Sequence, residues 1–288
     1  MRKSIFQLID ENYNIQNEIR KINKLLFEEK YFSDELCYAD YTLERLLEDF
    51  LFVDWKYRGT CLTIKSFMKQ VNAYIDYNDG KTKIAEDVII NNLECIENFI
   101  KLYVDNSNNL FNKNSIKYYG TFSKVFYPLV EVMEKKMGLV KKRFKDKIII
   151  IPKNAALEQV TNIIEDTDVQ WELIRYAREN LSLSEKRKSL AYLATNLYIE
   201  QDKNESNPIL IEVLGQATNV LNNLHIRHNN MTGKWEKSDL LKNISDKEAK
   251  QLCDLVFNKM LMIVLIRENE KYNSTFQKFN SIQKDSKC

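Results

Sequence analysis

The fold is decided by one stretch towards the end of the 288-residue chain, Leu255-Val256-Phe257-Asn258-Lys259-Met260-Leu261-Met262-Ile263-Val264-Leu265-Ile266. Only Asn258 and Lys259 interrupt its apolar character, which favours a helix that is buried on nearly all sides. The stretch is too short to cross the apolar core of a bilayer, which takes about 20 residues. Ser245 and Glu248 have the spacing of a capping box. We therefore predict a long helix from Ser245 to about Lys271 at the centre of a helical bundle.

The scarcity of turn-forming residues extends this interpretation to the whole chain, which has 6 Gly and 3 Pro. Sandwiches and barrels need many such residues, so an all-β fold is disfavoured. Apolar residues recur at helical spacing through most of the sequence. We predict an all-α fold with more than about 60% helix. At most one short strand is expected, near residues 148–151, where β-branched residues precede Pro152.

The same place marks the predicted domain boundary, because the basic run at 141–147 leads directly into those isoleucines. The sequence then predicts a helical N-terminal domain at 1–146 and a C-terminal helical bundle at 147–288. Residues 105–120 are polar and rich in Asn, which is typical of a loop.

Cap residues predict where the C-terminal helices begin. Asn154 precedes one amphipathic segment, and Ser182 with Glu185 forms a second capping-box pattern. Asn207-Pro208 places a cap residue before a proline in the first helical position.

Composition excludes several classes of protein. The formal net charge is +2, from 43 basic and 41 acidic residues, which lacks the basic excess of a dedicated nucleic-acid binder. The 5 cysteines show no CxxC spacing, so neither a zinc knuckle nor a disulfide framework is expected. Asp10 and Glu11 come too early for a signal peptide. We predict a cytoplasmic protein with no cofactor, no metal and no membrane segment.

The candidate site lies where the helix from Asn207 ends. Its apolar stripe reaches Leu224, and helical spacing of three and four then gives Arg227 and His228. An Arg offers a planar donor fork for phosphate, and a His titrates near neutral pH and serves as general acid or base. The neighbouring Asn229 and Asn230 are positioned to orient either group. These residue types suit metal-independent cleavage of RNA.

Two other interpretations of this segment stay open. His225 and His228 have a spacing that can share a metal, but no third ligand is evident nearby. In a purely structural interpretation, Arg227 pairs with a buried carboxylate such as Glu212 or Asp254, and His228 makes a structural hydrogen bond.

The segment Ile226-Arg227-His228-Asn229-Asn230-Met231-Thr232-Gly233-Lys234 resembles the signature of the abortive-infection C-terminal domain. That domain belongs to the HEPN (higher eukaryotes and prokaryotes nucleotide-binding) helical class of bacterial phage-defence proteins. The resemblance covers about residues 148–272. It implies a HEPN-like bundle that binds or cleaves RNA, with Arg227 and His228 catalytic and Asn229, Asn230 and Lys234 on the substrate. It also implies a homodimer and a phage-derived trigger or partner protein.

The chain departs from the family pattern at one position, because Lys234 stands where family members often carry a His. Three alternatives follow. His228 has taken over the acid–base role, or Lys234 binds phosphate in a non-cleaving site, or the domain is a scaffold without catalysis. Endoribonuclease activity therefore stays undecided, and the alternative function is a non-catalytic interaction or regulatory module of a defence or toxin–antitoxin system.

Two further stretches carry weaker signals. Trp55-Lys56-Tyr57-Arg58 has the residue types of an aromatic and basic surface, although packing of Trp55 is the favoured explanation. The basic residues of 141–147 suit phosphate contacts, but a solvated helix end is the favoured explanation there.

Overall fold

The computed structural model describes residues 12–34, 38–113, 116–118, 122–200, 205–224, 226 and 244–285. Within these ranges 66% of the residues lie in ten α-helices, which confirms a mainly helical protein. The chain divides into two compact units, Met1–Pro152 and Lys153–Cys288. The division therefore lies at Pro152 rather than at residue 146. In the same ranges, no helix is long and apolar enough to cross a membrane.

The first unit combines helices with two small antiparallel sheets. Its elements are α1 (Ile15–Phe27), β1 (Lys30–Asp34), β2 (Ala39–Thr42), α2 (Leu43–Phe50), a 3-10 turn (Phe52–Asp54), α3 (Ile64–Gln70), α4 (Glu86–Lys113), β3 (Ile116–Tyr118), α5 (Phe122–Lys136), β4 (Leu139–Phe144) and β5 (Lys147–Pro152). One sheet has the strand order β2-β1-β3, and the other is the β4-β5 hairpin.

Three expectations for this unit are corrected. The strand near 148–151 exists as β5, but four other strands accompany it, so the expectation of at most one strand is wrong. The basic run at 141–147 is not a helix end, because it forms most of β4 and the turn to β5. The Asn-rich segment at 105–120 was expected to be a loop, but in its described residues α4 continues to Lys113 and β3 occupies Ile116–Tyr118. Burial of Tyr103 and Leu110 stabilises the extended α4.

The β4-β5 hairpin is attached to α4 through side chains that replace a neighbouring strand. The Asn98 side chain accepts a hydrogen bond from the Ile148 backbone N–H (3.0 Å) and donates one to the Ile148 carbonyl (2.7 Å). Glu94 accepts a bond from the Ile150 N–H (2.9 Å). These contacts satisfy backbone groups that an edge strand would otherwise expose.

The second unit is a bundle of helices around its last member. Its elements are α6 (Ala155–Ile163), α7 (Thr167–Arg178), α8 (Leu183–Asn196), α9 (Pro208–Asn223) and α10 (Asp246–Asp285). Helix α10 packs against α6, α8 and α9. Its residues Val256, Met260 and Ile263 are fully buried, which confirms the prediction of a central helix.

The predicted caps in this unit are all present. Asn154 and Asn207 accept hydrogen bonds from the first turns of α6 and α9. Ser182 and Glu185 form a reciprocal capping box at α8. Ser245 and Glu248 do the same at the start of α10, with the Ser245 N–H donating to Glu248 (2.8 Å) and the Glu248 N–H donating to the Ser245 hydroxyl (3.3 Å).

Candidate functional site

The predicted site follows directly on the end of α9. This helix ends at Asn223, and Leu224 is its fully buried C-cap. The Ile226 N–H then donates to the Leu221 carbonyl (2.8 Å), and Ile226 is also buried. Because α9 ends before residue 227, helical spacing counted from Leu224 does not support the prediction that Arg227 and His228 continue its buried stripe. The candidate residues themselves lie outside the described part of the chain; they are Arg227, His228, Asn229, Asn230 and Lys234.

Two side-chain contacts fix the end of the second unit at which this segment begins. Helices α9 and α10 run antiparallel, since Asn207 contacts Glu270 (2.5 Å) and Gln216 contacts Lys259 (2.5 Å). When the same antiparallel pairing is continued along both helices, Leu224 lies beside the first turns of α10. The chain therefore enters segment 227–243 at the same end of the bundle as Cys253 and Asp254.

A polar cluster occupies that end of the second unit. Asp254 of α10 accepts hydrogen bonds from the Tyr176 hydroxyl of α7 (3.1 Å) and from the Lys186 ammonium of α8. The Tyr176 ring stacks on Phe257, with ring centroids 4.3 Å apart, and the Lys186 ammonium lies 5.0 Å from the centroid of the Tyr176 ring. The cluster thus joins three helices by an ion pair whose Lys is 12% exposed and whose Asp is 48% exposed.

Burial keeps the Tyr176 hydroxyl and the neighbouring Cys253 thiol protonated. Burial, and then the charge of Asp254, raise the pKa of Tyr176 far above its ordinary value, so its hydroxyl stays a donor. Burial also raises the pKa of Cys253 to about 11, which keeps this thiol protonated at neutral pH. Cys253 is therefore not an activated nucleophile, because the thiolate is the reactive form.

The two carboxylates considered as structural partners of Arg227 already have partners. Asp254 is engaged by Tyr176 and Lys186. Glu212 is exposed and accepts a hydrogen bond from Gln216 (2.9 Å). Neither carboxylate depends on an additional Arg to offset its charge.

The first unit brings together the two weaker sequence signals. Asp146, in the turn of the hairpin, contacts both the Lys56 ammonium and the Tyr57 hydroxyl. Lys147 lies 4.3 Å from the centroid of the Tyr57 ring. The hydrogen bonds from Lys56 and Tyr57 lower the pKa of the Asp146 carboxyl. This exposed network ties the hairpin turn to the turn at residues 56–57 and partly neutralises the basic residues.

Trp55 packs against other aromatic side chains, which confirms the favoured explanation. Its ring lies 5.8, 5.2 and 5.7 Å from the rings of Phe52, Phe67 and Phe99. Arg58 is likewise structural, because it donates to the carbonyls of Val53 (2.6 Å) and Cys61 (2.9 Å).

Sequence reasoning missed a buried ionic cluster in the first unit. Lys141 of β4 contacts Glu97 of α4 (2.9 Å) and Glu134 of α5 (3.5 Å). Burial, and then repulsion by Glu97, raise the pKa of Glu134 to about 7. The signal was available for Glu97, which lies four residues after the buried Leu93 and so continues an apolar stripe.

The remaining features of the residues that the structure describes concern metal ligands and cavities. No group of three or more His, Cys, Asp or Glu side chains among them is arranged to hold a metal ion. A cavity of about 690 Å³ in the first unit has mainly apolar walls formed by residues such as Ile15, Ile84 and Met137. Comparisons with protein-family models, curated proteins and solved structures found no match to the chain.

Proposed function

We propose that this chain is a phage-defence protein of the abortive-infection type, whose second unit binds or cleaves RNA through Arg227 and His228. The observation that carries the proposal is the position of the chain at Leu224 and Ile226. Helix α9 ends there, at one end of the bundle, and the Arg-His segment follows at once. A helix end is where the core gives way to solvent, so charged groups can reach a substrate without full desolvation.

The chemistry of these residues supports phosphate recognition. Arg227 supplies a bidentate fork for a phosphate, and Lys234 supplies a compact positive charge. His228 supplies the acid–base group that attack of a 2′-hydroxyl on its own phosphate needs. Asn229 and Asn230 are assigned to the substrate.

The test compares stability and activity in the same variants. Purified protein is incubated with total RNA or tRNA in EDTA, which removes metal-dependent nucleases from the interpretation. We expect cleavage by the wild type, and we expect its loss in Arg227→Ala and His228→Ala. Lys234→Ala should weaken binding and reduce its salt dependence by about one phosphate contact. Lys188→Ala, which removes an exposed Lys of the same unit, is the matched control.

Thermal melting separates a functional role of Arg227 from a structural one. Because Asp254 and Glu212 have other partners, Arg227→Ala should leave the melting temperature within a few degrees of the wild type. A structural partner left buried and unpaired would instead cost about 3 to 5 kcal/mol. Full protection against phage by a well-folded Arg227→Ala protein would refute the assignment of this site.

The alternative function, a non-catalytic interaction or regulatory module, is favoured by one observation. The chain has 2 histidines, His225 and His228, so no His follows at the position where family members often carry one. RNA binding that survives His228→Ala, without cleavage by any variant or by the wild type, would support this alternative.

A further inference from the structure

The cavity in the first unit has the size of a binding site for a small molecule. Its volume of about 690 Å³ lies within the range of roughly 300 to 1,000 Å³ that is usual for ligand pockets. It is formed by α1, by the segment that leads into α4 and by the end of α5, and its apolar walls include Ile15, Ile84, Ile89 and Met137. The RNA site proposed above belongs to the second unit, so the function of this cavity is independent of it.

Two side chains of α1 fix the wall that precedes α4. The Gln16 side chain donates to the Ile84 carbonyl (3.0 Å) and accepts from the Ile84 N–H (2.8 Å). Arg20, one turn further along α1, is 8% exposed and donates to the carbonyls of Asp79 (2.7 Å) and Thr82. These bonds hold the segment in one conformation, so the wall is formed before a ligand arrives, as in most small-molecule sites.

The wall favours an aliphatic ligand over a polar one. The amide of Gln16 uses both its nitrogen and its oxygen to bond the Ile84 backbone, and the neighbouring side chains of the wall are aliphatic. A sugar or a nucleobase would lose hydrogen bonds to water against such a wall. An aliphatic chain is stabilised there, because the contact removes its surface from water.

The charged residues of the lining favour a negative charge on the ligand. Lys83 and Lys136 both line the cavity and are exposed, and the Lys136 ammonium lies 5.6 Å from the centroid of the Tyr13 ring. Glu86 is the one carboxylate among the lining residues that the structure describes. It lies in the first turn of α4, where the positive end of the helix dipole offsets its charge.

We propose that this cavity binds a medium-chain fatty acid. The aliphatic chain lies against the isoleucines and Met137, and the carboxylate bonds to the ammonium groups of Lys83 and Lys136. An alcohol with the same chain gains only the contact with the wall. A cationic amphiphile gains that contact but is repelled by both lysines.

Calorimetric titration of the full chain with straight-chain carboxylates, from hexanoate to dodecanoate, tests the apolar part of the proposal. We expect binding to tighten by about fourfold for each additional methylene that becomes buried, until the chain fills the cavity. Decanol should bind more weakly than decanoate, and decyltrimethylammonium more weakly still. No binding of dodecanoate up to about 1 mM, or an affinity that is independent of chain length, would overturn the proposal.

Variants at exposed positions test the placement of the carboxylate. Lys83→Gln and Lys136→Gln should each weaken the binding of decanoate by about two- to fivefold, and Glu86→Gln should tighten it by a similar factor, as expected for single exposed charges. The affinity for decanol should not change in any of them, which separates an effect on the carboxylate from an effect on the fold. Lys81→Gln is the matched control, because Lys81 is exposed but lies outside the lining. Equal affinities of all four variants for decanoate would refute the placement.

The same titration distinguishes the fatty acid from an occupant within the chain. We expect the full chain to bind decanoate at least as tightly as a folded chain that lacks residues 1–11. Binding that is observed only after these residues are removed would assign the cavity to the chain's own N-terminal residues and would overturn the proposal.

Discussion

Replacing Glu134 with Gln should stabilise the first unit at pH 8 and change little at pH 5. Glu134 and Glu97 are 4% and 6% exposed, and both contact Lys141. One ammonium cannot offset two buried carboxylates, so the pair retains a proton. Burial and the charge of Glu97 raise the pKa of Glu134 from 4.5 to about 7.

The sign of the pH effect follows from the two states. Below pH 4.5 Glu134 is protonated in both the folded and the unfolded chain. Between pH 4.5 and about 7 the unfolded chain loses the proton while the folded chain keeps it, so the free energy of unfolding falls as pH rises. At about 1.4 kcal/mol per pKa unit, the loss amounts to at most about 3 kcal/mol and is complete above pH 7.

Glutamine removes this loss because it is neutral at every pH and resembles the protonated acid. We expect Glu134→Gln to be more stable than the wild type by about 1 to 3 kcal/mol at pH 8, and to differ by less than about 1 kcal/mol at pH 5. Glu131→Gln, an exposed position on the same helix, should show no pH-dependent difference.

The assay is urea unfolding followed by tryptophan fluorescence at pH 5, 6, 7 and 8. Trp171→Phe and Trp235→Phe leave Trp55 as the only tryptophan, and Trp55 reports on the first unit through its packing with Phe52 and Phe99. Comparison of variant with wild type cancels other titrations, including that of Glu44, whose pKa burial and Glu48 raise to about 7. Parallel stability profiles for Glu134→Gln and wild type would refute the shared-proton explanation.

Three further outcomes can be checked. Leu224→Ala should destabilise the second unit by about 2 to 5 kcal/mol in urea unfolding, because Leu224 is fully buried; a cost under about 0.5 kcal/mol would contradict this packing. Asn98→Ala should cost about 1 to 3 kcal/mol and speed hydrogen exchange at the Ile148 amide, since both hydrogen bonds to Ile148 are lost, and an unchanged exchange rate would argue against the attachment. Cys253, with its pKa raised to about 11, should resist alkylation at pH 8 until the chain unfolds; rapid labelling of the native protein, located by mass spectrometry, would contradict its burial.

Features that depend on near neighbours in sequence were predicted well. The starts of α6, α8, α9 and α10 follow from cap residues that bond to a backbone group three positions away. The central position of α10 follows from its nearly continuous apolar surface. In each case the stabilising interaction lies within the segment itself and does not depend on the rest of the fold.

Features that depend on distant partners were missed. Strand β1 pairs with β2 and β3, although β3 lies more than 80 residues later. Strand β4 carries a basic sequence that has little strand character of its own. Its pairing with β5 and the contacts of Lys141 with α4 and α5 stabilise it there. A local pattern contains none of this information, because strand propensity reflects packing against neighbours.

The candidate site combines both situations. Local cap and apolar signals correctly predicted that Asn207 caps the start of α9. They did not predict where α9 ends, because its C-cap, Leu224, is a buried apolar residue like those of the helix before it. The polar groups at that end of the unit come from α7, α8 and α10, so Tyr176, Lys186 and Asp254 have no common pattern in the sequence. In the sequence, each of the three is only one of several polar residues of an amphipathic helix. A buried polar residue on an apolar stripe signals that a partner exists, and the fold alone identifies that partner.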